Sequence, residues 1–243
     1  MIQVQAFAAL GRSRTAWLNA RHHFSFGQYH DPARMGVGGL RVWNDDEVAP
    51  GSGFDPHPHR DMEIVTYIRE GAITHRDNLG NEGRTEAGDV QVMHAGTGIV
   101  HAEYNLEPVP TRLFQIWIVP GTKGVMPGWA TRRFPGRVEG GRVEGARLEG
   151  ALTVLADGRA GADGSALELH ADAAVLAGRL RAGQSVLQPI GVGRVGYLVP
   201  STGAVTVNGV AVGTRDGAAI TGEEAVEIIA TEDADLVLVD VAS

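Results

Sequence analysis

The sequence predicts an all-β protein with two β-barrel or sandwich domains in tandem. Short apolar runs recur along the 243 residues, helical periodicity is scarce, and a low-complexity segment divides the chain. Runs rich in Val, Ile, Leu and aromatic residues, separated by Gly, Asn, Asp or Pro, are typical of strands in such folds. The runs include GGLRVW, MEIVTYI, DVQVM, LFQIWIV, ALTVLA, AVLAGRL, GRVGYLV, GAVTVNGVAV, AVEIIA and DLVLVDV.

The low-complexity segment sets the predicted domain boundary. It consists of three similar five-residue units, GRVEG at 136–140, GRVEG at 141–145 and ARLEG at 146–150. A short repeat of Gly and charged residues is typical of a solvated linker. We therefore predict an N-terminal domain at 1–134, a linker at 135–147 and a C-terminal domain at 148–243.

Composition excludes several classes of function. The formal net charge is −8, and residues 135–243 carry 8 basic and 15 acidic residues, a net of −7. An acidic chain without a basic stripe argues against direct binding to nucleic acid or to anionic membranes. The absence of cysteine excludes disulfides and thiolate metal sites. No apolar segment has the ~20 residues needed to span a bilayer, and we expect no secretory signal and a cytoplasmic location.

Two short patterns of metal-binding residue types stand out, His57-Pro58-His59 and His101-Ala102-Glu103. In a strand, residues i and i+2 point to the same face. If the two strands face each other across a barrel, three imidazoles and one carboxylate surround a single point. Such a donor set suits Fe, Mn, Co, Ni or Zn and does not choose among them.

Glu63 is a second candidate carboxylate. An unbroken strand would place it on the same face as His57 and His59, because all three numbers are odd. From spacing alone, either Glu63 or Glu103 could supply the carboxylate.

These patterns resemble the two motifs of the cupin superfamily. The first cupin motif, G-x5-H-x-H-x3,4-E-x6-G, is matched with a last gap one residue longer by Gly51, His57, His59, Glu63 and Gly71. The end of the second motif, G-x2-H-x3-N, is matched by Gly98, His101 and Asn105, although the usual preceding Pro-x-Gly is altered. The resemblance implies two jelly-roll barrels in tandem, an arrangement called a bicupin.

Within the cupins, the chain resembles the pirin family most closely. The matching stretches cover most of residues 17–120 and are RHHFSFGQYHDP, LRVWNDDEVAPGSGF, HPHRDMEIVTYIREGAITHRDNLGN and AGDVQVMHAGTGIVHAEYN. Pirins hold a metal, often iron, through His-x-His and His-x-Glu. The resemblance therefore implies one Fe(II), with Mn, Co, Ni, Zn or Cu as alternatives, on His57, His59, His101 and Glu103. Glu63 would then be a supporting or buried hydrogen-bonding group.

The pirin resemblance also implies an activity. Several bacterial pirin-like proteins are quercetin 2,3-dioxygenases, which open a flavonol with O2 and release carbon monoxide. We accordingly expect a flavonol-like aromatic substrate and O2, with Glu103 or Glu63 as the proton acceptor. The alternative is an iron-dependent, redox-sensing regulatory module without turnover, which would bind a protein partner.

The remaining histidines have structural interpretations. We expect His75 to be solvated or locally bonded, and His94 to pack near the site. His22 and His23 could be structural or could line the pocket. His170 is the single histidine after residue 134, so we expect a C-terminal domain without metal, with an apolar interior instead.

Overall fold

The computed structural model describes residues 1–134 and 152–243, so the predicted linker at 135–147 lies outside the described residues. The described chain consists of strands and turns, with one 3-10 helix at Phe7–Ala9. This confirms the all-β prediction. Within these residues, no helix has the length and apolar character needed to cross a membrane.

Twelve strands lie before residue 135. They are β1 Ile2–Gln5, β2 Gly11–Arg14, β3 Leu18–His22, β4 Leu40–Val48, β5 Ser52–His59, β6 Glu63–Glu70, β7 Ala72–Asp77, β8 Glu82–Glu86, β9 Val90–His94, β10 Ile99–Asn105, β11 Thr111–Ile118 and β12 Gly128–Arg132. Eleven of them form two sheets of their own. One has seven strands in the order β12-β9-β6-β11-β4-β3-β2, and the other has four in the order β5-β10-β7-β8.

Ten further strands are described after residue 151. They are β13 Thr153–Asp157, β14 Leu167–Glu168, β15 Ala173–Leu180, β16 Ser185–Pro189, β17 Arg194–Thr202, β18 Val205–Val207, β19 Val210–Val212, β20 Gly217–Thr221, β21 Ala225–Ala230 and β22 Ala234–Ala242. They repeat the same architecture, with a seven-stranded sheet β1-β20-β17-β22-β15-β13-β14 and a four-stranded sheet β16-β21-β18-β19. Two barrels of this kind in tandem are the bicupin arrangement that the resemblance implied.

The first strand belongs to the second barrel. β1 pairs antiparallel with β20, with Ile2 opposite Ile220 and Gln5 opposite Gly217. The N-terminus therefore provides the edge strand of the C-terminal seven-stranded sheet, and the two barrels are connected by backbone hydrogen bonds as well as by side chains.

A shared apolar core lies between the two seven-stranded sheets. It contains Trp43 and Phe114 from the first half and Tyr197, Val199 and Val239 from the second, all at most 1% exposed. Because side chains alternate across each strand, these sheets use one face for this core and the other for their own barrel. The second half of the chain therefore covers the outer face of the seven-stranded sheet of the first half.

The interiors of the two barrels differ in chemistry. The C-terminal barrel is filled by apolar side chains such as Leu176, Leu198, Ile228 and Leu238. Its apolar filling was predicted, although Val175 and Val195 face the shared core instead. In the N-terminal barrel, polar groups occupy the space between the sheets, and these are the groups that surround the candidate site.

Candidate metal centre

Three imidazoles converge where β5 pairs with β10. His101 lies opposite His57 in the antiparallel register, and Ile99 lies opposite His59. The ring centroids are 4.5 Å apart for His57 and His101, 4.8 Å for His57 and His59, and 5.0 Å for His59 and His101. One nitrogen from each ring falls within 4.8 Å of the others, so the three could hold one metal ion.

The hydrogen bonds leave the appropriate nitrogens free. His57 Nδ1 lies 2.7 Å from the carbonyl oxygen of Asp55, and His101 Nδ1 lies 3.4 Å from His75 Nδ1. His101 Nε2 is buried and has no hydrogen-bond partner among the described residues. A buried nitrogen without a partner is costly unless a ligand satisfies it. These residues therefore fit a metal that is bound through Nε2 of His57 and His101.

Burial keeps two of these rings neutral. It lowers the pKa of His101 to about 2, with the neighbouring His57 and His59 lowering it further. Burial and the proximity of His57 lower the pKa of His59 to about 4. Only a neutral imidazole has a lone pair to donate to a metal, so both rings are ready to coordinate at neutral pH.

Glu103 lies on the other side of His101. Its carboxylate, with His75 and His101, forms a second group whose ligand atoms lie within 4.8 Å of one another. The group of His57, His59 and His101 does not include it. The four residues expected to bind the metal therefore do not form one group. His57 and His59 lie with His101 on one side, and Glu103 lies with His101 and His75 on the other.

The Glu103 carboxylate is enclosed by donors from the facing seven-stranded sheet. Gln91 Nε2 donates to Oε1, Gln115 Nε2 donates to Oε2 at 2.8 Å, and the Thr66 hydroxyl lies 3.5 Å from Oε1. Burial raises the pKa of Glu103 to about 7, although these three donors favour its charged form. A carboxyl group with this pKa can both accept and release a proton near neutral pH.

The two glutamines are themselves oriented by aromatic side chains. Trp129 Nε1 donates to Gln91 Oε1, and Trp117 Nε1 donates to Gln115 Oε1, each at 3.3 Å. Each amide therefore directs its NH2 group to Glu103. The sequence analysis missed Gln91 and Gln115, and the available signal was a single polar residue between buried apolar neighbours in DVQVM and LFQIW.

Glu63 is placed at the junction of the two halves. Its Oε2 lies 2.6 Å from His94 Nδ1 and accepts a hydrogen bond from the backbone N–H of His170 at 3.0 Å. Neither group of candidate ligands includes Glu63. The strand was expected to continue from His59 to Glu63, but β5 ends at His59, and Asp61 has a positive φ of 48° in the turn before β6.

Family models and named relatives match most of the chain. The family model described as "Pirin" matches residues 3–118, and that described as "Quercetinase C-terminal cupin domain" matches residues 156–241. A protein from Caulobacter vibrioides named as pirin-like is 54% identical over 242 residues, covering 100% of both chains. The chain belongs to the pirin family. Membership confirms both the recognised family and the fold of two cupin domains in tandem.

A named relative and a solved structure, both from Escherichia coli, extend the comparison for this pirin. A protein named quercetin 2,3-dioxygenase is 40% identical over 243 residues, covering 99% of this chain and 98% of its own. The crystal structure of a bacterial pirin in complex with nickel(II) superposes with a TM-score of 0.89 at 36% identity, covering 100% of this chain and 99% of that one.

Motif residues of this pirin that are not candidate ligands build the turns around the site. Gly51 has a φ of 66° and Gly98 a φ of 137°, conformations that favour glycine. Asn105 Nδ2 donates to the carbonyl oxygens of Val48 and Val109, each at 2.9 Å. These residues hold the ends of β5 and β10 so that the histidines share one face.

The other histidines take structural positions. His22 contacts Ser13 and Asn44, and His23 is fully buried against Tyr197. The rings of His94 and His170 contact each other at a tilt of 55°, with centroids 4.5 Å apart. His75 is buried rather than solvated, and its Nε2 lies 3.0 Å from Asp77 Oδ2. The described part of the second half contains no cluster of three potential ligands.

An aromatic cavity lies on the far side of Trp117, whose ring contacts His59. Its volume is about 310 Å³, and its walls include Phe26, Tyr29, Arg41 and Trp117. Trp117 meets the His59 ring edge-on with centroids 4.9 Å apart, and Phe26 meets Trp117 in the same way at 5.4 Å. The cavity is at the small end of the range for ligand pockets, about 300–1,000 Å³.

Proposed function

We propose that this pirin is a metal-dependent dioxygenase that opens flavonols such as quercetin at the 2,3-bond and releases carbon monoxide. The observation that carries the proposal is the convergence of His57, His59 and His101, with His101 Nε2 buried and lacking a partner within residues 1–134 and 152–243. The names of the relatives supply the reaction class. The reaction consumes one O2 for each flavonol and yields one CO and a ring-opened ester.

The metal would be held by His57, His59 and His101, with Glu103 as the carboxylate. Fe(II) is the proposed ion, and Mn, Co, Ni, Zn or Cu would suit a set of imidazoles and a carboxylate as alternatives. When bound, the metal supplies a Lewis acid that lowers the pKa of the flavonol 3-hydroxyl group. The neutral state of His59 and His101 supports this assignment.

Glu103 is the proposed proton acceptor for the 3-hydroxyl group. Its pKa of about 7 suits proton transfer near neutral pH, and its position beside His101 brings it to the candidate metal centre. Glu63 was the other candidate. Its hydrogen bonds to His94 and to the backbone of His170 favour a role in joining the two halves instead.

The aromatic cavity is the proposed substrate site. Phe26 and Trp117 offer flat apolar faces to an aromatic ring system, and Arg41 provides a cation at the wall. Since Trp117 contacts His59, a substrate lying on Trp117 would approach the imidazoles from the cavity side. Apolar walls would also limit the access of water to the reacting ring.

The decisive experiment combines metal analysis with turnover. Purified protein is loaded with Fe(II) or Ni(II), and quercetin loss, O2 uptake and CO release are measured together. We expect these in a 1:1:1 ratio, lost in His101→Ala and retained in His170→Ala, a histidine of the second half outside both ligand groups. Metal binding without turnover of any flavonol would contradict the dioxygenase and favour the redox-sensing regulator. Failure to bind any metal would contradict the centre itself.

A further inference from the structure

A chain of hydrogen-bonding groups leads from a surface turn to His101. In the register of β7 and β10, Asp77 lies opposite His101, and His75 lies opposite Glu103. Asp77 Oδ2 lies 3.0 Å from His75 Nε2, and His75 Nδ1 lies 3.4 Å from His101 Nδ1. The far nitrogen of His101 is the buried Nε2 without a partner.

We propose that Asp77 and His75 are positioning residues that fix the tautomer of His101, so that its unprotonated Nε2 faces the metal. This inference deepens the proposed function, because it rests on the metal centre proposed above. Groups behind a ligating histidine commonly set its orientation and protonated nitrogen, and their loss costs about 10–100-fold in metal affinity.

The direction of each hydrogen bond follows from Asp77, the last group in this series of hydrogen bonds. An ionised carboxylate can only accept, so His75 Nε2 carries the proton shared with Asp77. The neutral His75 ring then has an unprotonated Nδ1, which accepts from His101. His101 consequently carries its proton on Nδ1, and the lone pair of Nε2 is free.

Both positioning residues are held in place. Asp77 Oδ1 accepts the backbone N–H groups of Leu79 at 2.9 Å and Asn81 at 3.0 Å, and its Oδ2 accepts from the Asn81 side chain at 2.9 Å. His75 is fully buried and stacks on Trp129, with centroids 4.8 Å apart and planes 6° from parallel. Neither side chain is free to turn away from the chain of hydrogen bonds.

Asp77→Asn is the informative substitution. Two backbone N–H groups require an oxygen at the Oδ1 position, so the new NH2 group would face His75 Nε2. The Asn81 amide, which donates to Oδ2 in the wild type, would turn to present its oxygen to that NH2 group. His75 would then accept at Nε2 and donate from Nδ1. His101 would have to accept at Nδ1 and carry its proton on Nε2, the atom that should bind the metal.

The test uses the full chain with two measurements. In the metal-free protein, long-range ¹H–¹⁵N NMR of the histidine rings reports which nitrogen of His101 is protonated. Ni(II) titration then gives the dissociation constant. We expect Asp77→Asn to move the His101 proton from Nδ1 to Nε2 and to weaken Ni(II) binding about 10–100-fold. Asp163→Asn is the matched control, because Asp163 accepts the backbone N–H of Ser165 in a similar turn of the second half.

A His101 proton that stays on Nδ1 in Asp77→Asn, or a dissociation constant within twofold of the wild type, would overturn the inference. If Asp77→Asn does not fold, His75→Phe keeps a ring on Trp129 and removes the acceptor. It should then leave His101 as a mixture of tautomers, whereas a retained single Nδ1–H tautomer would refute the role. The NMR result stands without metal or turnover, so failure of the proposed dioxygenase remains distinguishable.

Discussion

Substituting each of the two buried glutamates should separate the metal site from the junction between the halves. Glu103→Gln keeps the size of the side chain but places one NH2 group against the donor NH2 of Gln91 or Gln115. It also removes the negative charge beside His101. We expect metal affinity to fall about 10–100-fold, which corresponds to about 1.4–2.7 kcal/mol.

Glu63→Gln should have the opposite profile. The new oxygen can still accept from His94 and from the His170 backbone, whereas the NH2 group would occupy the position of Oε1, which is buried and has no partner among the described residues. A buried unpaired donor costs about 1–3 kcal/mol. We therefore expect lower stability and a metal dissociation constant within about threefold of the wild type.

Two assays decide between these profiles. Metal titration monitored by calorimetry gives the dissociation constants, and urea denaturation of the metal-free proteins gives the stabilities. If Glu103 is the metal-binding carboxylate, Glu103→Gln has the larger effect on the metal dissociation constant and Glu63→Gln has the larger effect on stability. Equal effects on the dissociation constant, or a larger effect of Glu63→Gln, would return the carboxylate role to Glu63.

Three further predictions concern the imidazoles and the shared core. Single His57→Ala, His59→Ala and His101→Ala variants should lose most of the one metal per chain while circular dichroism stays β-rich, and full retention by each variant would refute the ligand set. Tyr197→Phe should destabilise the protein by about 1–3 kcal/mol in urea, since His23 Nδ1 loses the hydroxyl at 3.0 Å; a change below 0.5 kcal/mol would contradict this. Burial lowers the pKa of His23 to about 3, below about 6.5 in the unfolded chain. The buried, neutral His23 ring therefore makes its full contribution to stability above pH 6.5. That contribution is lost as the pH falls towards 3, and about 2 kcal/mol of it is lost at pH 5. In His23→Gln, the urea midpoint of unfolding should fall less steeply with decreasing pH than in the wild type. Parallel pH profiles of the two proteins would refute the assignment.

The sequence predicted the parts of the site that depend on one strand. His57 and His59 share a face because residues two apart in a strand must do so, and the same rule placed His101 and Glu103 together. The rule failed for Glu63, because it holds only within an unbroken strand and the chain turns at Asp61. Alternation indicates a face, but it does not indicate where a strand ends or which sheet the next strand joins.

The residues that sequence reasoning missed depend on contacts between separate strands. His75 reaches His101 only through the register of β7 against β10, which a local pattern does not contain. Gln91 and Gln115 reach Glu103 across the space between two sheets. A single polar residue within each apolar run marks both glutamines in the sequence, but their spacing does not show that they meet Glu103. Only the folded structure shows that contact.

The different interiors of the two barrels indicate how the second domain stabilises the first. The N-terminal barrel buries Glu103 and Asp46, and burial together with the charges of Asp45 and Glu103 raises the pKa of Asp46 well above its usual value. One oxygen of Asp46 is buried without a partner among the described residues. These polar groups reduce the stability of the interior, because buried charges and unpaired polar atoms are costly. The same barrel also buries two apolar clusters, one around Ile64 and Ile99 and one around Ile68 and Leu113.

A further source of stability lies outside that interior. The seven-stranded sheet of the N-terminal barrel buries its outer face, including Trp43 and Phe114, against Tyr197 and Val239 of the second half. Asp45 extends this contact by pairing with Arg69 of its own half and with Arg215 of the other. A barrel with a partly polar interior thus gains a further apolar core on the opposite side of its seven-stranded sheet.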